Sequence, residues 1–200
     1  LTVGGGAVTL SGASTNTGEV AVNTGSLTLT GSVGGDVTVG NLAALTVTGG
    51  TVGGVTTNNA STNVTVNGGT FTGGLLNKGP GVIAASGAVV GNITNVNAAS
   101  TVNIGAAGLS GNGANVFTNA GELNLTAGSL SNFGTVTNNS GGKIDIGSGR
   151  SLGAGALNNL ANAQVVLTSG TVAAAFSNAG RLTNSGSSTI NGSFVNTGIT

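Results

Sequence analysis

Two hundred residues carry four Lys or Arg against four Asp or Glu, forty Gly, one Pro, five Phe and no Cys, His, Met, Trp or Tyr. A charge so sparse and balanced offers no basic stripe to displace counterions from nucleic acid or anionic lipid. The missing residue types remove disulfides, thiol and imidazole catalysis and soft metal sites, so no cofactor, metal or nucleic-acid partner is expected. The glycines follow no Gly-X-Y period, hydrophobic residues at 38% are too many for a disordered tract, and no apolar run reaches the length of a membrane span.

The rule of the chain first shows at Val8-Thr9-Leu10, an inward, outward, inward alternation with the period of a half-buried strand. It returns at Leu27 and Leu29, Leu45 and Val47, Val64 and Val66, Val82 and Ala84, Val102 and Ile104, Leu123 and Leu125, Ile144 and Ile146, Val165 and Leu167, then Ser188 and Ile190. All of these except Ala84 and Ser188 are Val, Leu or Ile, and the steps between them run from 18 to 23 residues. Such self-similarity means one strand per repeat stacked on the next.

A second ladder follows the glycine after each first strand, through Val33, Val52, Phe71, Val90, Leu130, Leu152, Val172 and Phe194. A third takes the form of an aliphatic residue or Phe, any residue, then Asn: Leu75 to Asn77, Phe117 to Asn119, Val136 to Asn138, Leu157 to Asn159, Phe176 to Asn178 and Phe194 to Asn196. Asn-x-Gly marks corners at Asn16, Asn23, Asn67, Asn77, Asn119, Asn139, Asn178, Asn184 and Asn196, because both residue types tolerate the left-handed backbone of a sharp bend. Those asparagines either only mark turns or also hydrogen-bond to one another along the stack; both readings fit the sequence. Gly79-Pro80-Gly81 belongs at a corner, since Pro cannot donate within a strand ladder. Residues 1–87 keep a step of 18 to 19 and residues 108–200 about 21, so a change of coil size is expected near 88–116.

These patterns specify an all-β chain: one right-handed parallel β-helix over residues 1–200, with three short strands per coil and about ten coils of 18–23 residues. A left-handed hexapeptide helix would hold its step at 18. Leu1 is not an initiator Met and neither end carries a polar cap, so the sequence reads as a segment of a longer polypeptide. Phe117-Thr118-Asn119-Ala120-Gly121-Glu122-Leu123, Phe176-Ser177-Asn178-Ala179-Gly180-Arg181-Leu182 and the Thr, Asn and Gly-rich strands resemble the passenger regions of autotransporters and the stalks of filamentous-haemagglutinin-like adhesins. The resemblance implies a bacterial surface or secreted protein, a non-enzymatic rod exported by type V secretion. It carries over no functional residue and leaves partners open between host or cell-surface molecules and self-association. Absence of Cys suits an exported chain.

The residues offer three chemical alternatives. Glu19 and Asp36 precede Val20 and Val37 one coil apart, the spacing of a carboxylate pair in a carbohydrate-active β-helix, but no Arg, Lys, His or aromatic neighbour accompanies them, and they read as surface acids. Gly34-Gly35-Asp36 is a lone fragment of a calcium-roll repeat, and since no other repeat supplies an Asp there, calcium binding is not expected. The outward residues Thr9, Thr28, Thr30, Thr46, Thr48 and Thr65 form a Thr-x-Thr array of the kind found on ice-binding solenoids, with Ile83 and Ala85 expected to break it; Thr is also simply a good polar strand residue. Glu122 and Lys143 are expected side by side on adjacent rungs, and Phe71, Phe117, Phe176 and Phe194 inside, with Phe133 outside the pattern.

Overall fold

The computed structural model describes residues 1–14, 17–59, 61 and 64–200; Asn16 lies outside them. The described strands stack in parallel into a β-solenoid of about ten turns, each turn passing through three faces. At the parallel-strand spacing of about 4.8 Å, ten rungs make a rod of about 48 Å.

The first face stacks Val8, Leu27, Leu45, Val64, Ile83, Val102, Leu123, Ile144, Val165 and Leu182 in register. Two rungs differ from the sequence alignment. Ile83 and Ala85, not Val82 and Ala84, point inward and are fully buried. In Val82-Ile83-Ala84-Ala85 every residue is apolar, so a shift by one leaves the alternation looking intact. At the C-terminal end Leu182 stacks on Val165, whereas Ile190 stacks on Val172 on the second face and Ser188 joins neither.

The second face is two ladders where the sequence suggests one. Val33, Val52, Phe71 and Val89 stack in the N-terminal half, and Val90 is exposed. Leu109, Leu130, Leu152, Val172 and Ile190 form the other, two residues earlier on the strand, so that Leu109 lies beside Gly87 and Ser110 beside Ala88. Phe133 is drawn into the core where the ladders change over, 2% exposed with its ring 6.0 Å from that of Phe117. Phe194 sits on the third face instead, stacked 5.3 Å from Phe176 and partly exposed.

The third face is the most regular. Val20, Val37, Thr56, Leu75, Ile93, Phe117, Val136, Leu157, Phe176 and Phe194 stack without a register shift. Two residues on, Val3, Val22 and Val39 give way to Asn58, Asn77, Asn95, Asn119, Asn138, Asn159, Asn178 and Asn196. All these asparagines except the last are buried. Each donates from Nδ2 to the Oδ1 of the next, at 2.9, 3.0, 2.8, 2.8, 2.8, 2.6 and 2.7 Å. From Asn77 to Asn159, each Nδ2 also donates to one backbone carbonyl in or beside the corner that follows and to one at the start of the first-face strand a coil further on: Asn119 donates to Gly121 O at 2.9 Å and to Lys143 O at 3.0 Å. The asparagines are therefore an internal ladder and not turn markers alone. Asn23, Asn67 and Asn184, which share the Asn-x-Gly signature, are exposed.

Coil length varies at corners. Successive ladder asparagines are 19, 18, 24, 19, 21, 19 and 18 residues apart, so one coil, between Asn95 and Asn119, is enlarged and the following ones shorten again. Relative to the coil before it, the extra chain sits in corners 96–100 and 111–115 and at the bend 105–108, where four residues lie opposite Ser86 alone. In the corner 111–115, Asn112 Oδ1 accepts from Ala114 N at 2.9 Å and Asn115 N at 2.8 Å, and buried Asn115 donates to Gly91 O at 3.2 Å. Pro80 lies in a corner. Between the second and third faces the corners stack so tightly that a Cβ on Gly73 would strike the carbonyl of Gly54, and one on Gly91 that of Gly73.

In the corners 40–43, 139–142 and 160–163 the fourth N–H bonds back to the first carbonyl, and the third residue has positive φ: Gly141 at 81°, Asn162 at 63° and Leu42 at 66°. Leu42 is 72% exposed, so it gains nothing from packing in return for its left-handed backbone. Leu42→Gly should raise stability by about 0.5–1 kcal/mol, read as a shifted denaturation midpoint. Asn119→Asp places a carboxylate where the ladder needs a donor, and should cost about 3 kcal/mol or more at neutral pH. Burial lifts the folded-state pKa of this Asp above its unfolded value of about 3.9. The variant should thus come closest to the parent below that value and lose stability as pH rises toward the folded pKa. A midpoint difference constant between acidic and neutral pH would contradict the assignment.

Candidate binding faces

The Thr array predicted on the first face is a real column: Thr9, Thr28, Thr46 and Thr65 occupy consecutive rungs. The residue that ends it is Ala84, since Ile83 and Ala85 face the core. Thr30 and Thr48 flank the column, but their Oγ1 atoms turn to backbone carbonyls one coil earlier, Leu10 O at 3.4 Å and Leu29 O at 3.5 Å. The flanking row therefore presents methyls and partly engaged hydroxyls.

A longer column lies on the third face. Ala21, Thr38, Thr57, Leu76, Thr94, Thr118, Thr137, Asn158, Ser177 and Val195 point outward on successive rungs. Its signal in the sequence is the triplet ending Thr-Asn, in Thr56-Thr57-Asn58, Ile93-Thr94-Asn95, Phe117-Thr118-Asn119 and Val136-Thr137-Asn138. Attention to the Asn alone passes over the Thr beside it. Leu76 interrupts this column, and Val55 and Val96 are exposed near it.

The carboxylates are placed as the register requires. Val20 pairs with Val37, which sets Glu19 and Asp36 on adjacent rungs, both exposed. Asp36 Oδ1 accepts a hydrogen bond from Val55 N at 2.8 Å, and so closes the corner of the next coil. This explains an Asp after Gly34-Gly35 without invoking calcium. Among the described residues no three of His, Cys, Asp and Glu come together as a metal site. Glu122 and Lys143 are register partners, while Lys143 forms its ion pair with Asp145 on the same strand, at 3.6 Å. Gln164 and Arg181 continue the Glu122 column on the following rungs.

Comparison with protein-family models, with curated proteins and with solved structures finds no match.

The corner role of Asp36 separates from any catalytic role by substitution. Asp36→Asn keeps an acceptor for Val55 N and should leave the denaturation midpoint nearly unchanged, whereas Asp36→Ala removes it and should cost up to about 1 kcal/mol, limited by exposure of the site. Glu19→Ala should be silent in the same measurement. Equal losses for Asp36→Asn and Asp36→Ala would show that charge, not the backbone bond, matters there.

Proposed function

We propose that this chain is a non-enzymatic structural rod, a stalk or passenger segment of a secreted or surface-displayed bacterial adhesin. The observation that carries the reading is the unbroken internal spine, seven consecutive amide-to-amide bonds from Asn58 to Asn196 beside a column of aliphatic and aromatic rungs. Parallel pairing on three faces and a self-complementary amide ladder make every coil cooperate with its neighbours, which suits a stiff spacer holding something at a distance. The engagement of Asp36 in a corner supports the non-enzymatic part of the reading. The route of export and the surface location rest on the resemblance in composition and period.

Antibodies raised against the chain should label intact cells of the source organism; labelling that needs permeabilised cells would remove the surface reading. Ice binding is the second reading, carried by the four stacked threonines Thr9, Thr28, Thr46 and Thr65. That column spans only about 14 Å at the rung spacing. Thr28→Lys and Thr46→Lys, made together, should leave folding nearly unchanged, and the parent should not shape ice. Faceted ice with the parent, lost in the double variant, would put ice binding ahead of the stalk.

A further inference from the structure

We infer that the first face over residues 122–181 is an interface for a second copy of this chain, with the two rods antiparallel. Glu122, Lys143, Gln164 and Arg181 form one outward column on four consecutive rungs. Glu122 and Arg181 stand at its ends, both exposed, three rungs or roughly 14 Å apart. Among the described residues, the Glu122 carboxylate and the Arg181 guanidinium make no hydrogen bond or ion pair. Lys143, which could have neutralised Glu122 within the chain, is held by Asp145. Opposite charges left unpaired at the two ends of a straight column are self-complementary. A two-fold axis running along the strands, between the Lys143 and Gln164 rungs, sets Glu122 of one copy against Arg181 of the other, and does so twice. The same operation places the Lys143 ammonium against the Gln164 side-chain carbonyl.

Local shape agrees with the charges. Gln164 and Arg181 line an open groove of about 320 Å³ beside the corner 160–163. Elsewhere the chain has few charges to compete: only Glu19, Asp36 and Lys78 lie outside residues 122–181. Since both pairs are exposed, the association is weak and screened by salt.

Sedimentation of the full chain over a concentration series should show a dimer at low ionic strength that dissociates at high ionic strength. Arg181→Glu alone and Glu122→Arg alone each turn two attractions into two repulsions and should weaken the dimer roughly tenfold or more. The double swap Glu122→Arg with Arg181→Glu should restore it, with circular dichroism and melting unchanged throughout. Because the chain has no Cys, Lys143→Cys and Gln164→Cys variants can be mixed under oxidising conditions, and the mixed disulfide should exceed either self-linked product. A parent that stays monomeric at low salt, a double swap no better than the single ones, or a mixture that cross-links no better than its components would each overturn the interface.

Discussion

Every part of this molecule answers to one constraint, the stacking of each coil on the last at the spacing of parallel strands. A residue meets its equivalent about 4.8 Å away along the rod, above and below, so an inward side chain must be compatible with a copy of its own kind. Aliphatic and aromatic residues satisfy this by dispersion and exclusion of water, as Leu27, Leu45 and Val64 do on the first face. Among polar side chains the carboxamide is suited because it both donates and accepts. A column of Asn can bond to itself without limit and still offer N–H to the corner carbonyls. A column of Asp would repel itself, and a column of Thr would be left with fewer donors than the corner needs. Thr56 shows the cost of a lesser fit: it takes an aliphatic place in the core, and its hydroxyl finds no partner.

The same constraint places the irregularities. Strand pairing tolerates no insertion where both neighbours must stay in register, so extra chain is pushed into corners. The enlarged coil carries its surplus at 96–100, 105–108 and 111–115 while the Asn95 to Asn119 bond holds at 2.8 Å across it. In the earlier coils the corners between the second and third faces are limited by the opposite effect. There, successive backbones approach so closely that only a residue without Cβ fits at Gly73 and Gly91. Loop space in one coil and steric exclusion in the coils before it give the rod its uneven outline around a uniform spine.

Stacking also turns single surface residues into columns, and columns are what a partner would meet. A lone Thr, Glu or Arg on an ordinary protein says little. Here register repeats the position, so that four Thr on the first face, a Thr-rich line on the third and the Glu122 to Arg181 line are extended features. The scarcity of charge makes the few charged columns distinctive, and it leaves recognition to geometry and hydroxyls over most of the surface.

The sequence by itself determined the all-β class, the solenoid, the approximate coil count and most inward rungs, because a period-2 alternation nested in a longer repeat can be satisfied only by stacking. It also determined which residues could not do chemistry, since composition alone excludes thiols and imidazoles. Only the tertiary structure decided the register at Ile83, where an apolar run hides the alternation, and the displacement of Ser188 and Ile190 where the last coil shortens. It alone decided that Phe133 is core, because a register shift after Leu130 turns this residue, which lies on no ladder, in against Phe117. It decided, too, that the asparagines bond to one another. Sequence places Asn at a corner equally well with its amide inside or outside, and the choice depends on whether the coils above and below present an Oδ1 and carbonyls within reach. The partners of Asp36 and Lys143 are of the same kind: Val55 N is 19 residues from Asp36, and the ion pair of Lys143 is chosen by side-chain direction between two nearby acids.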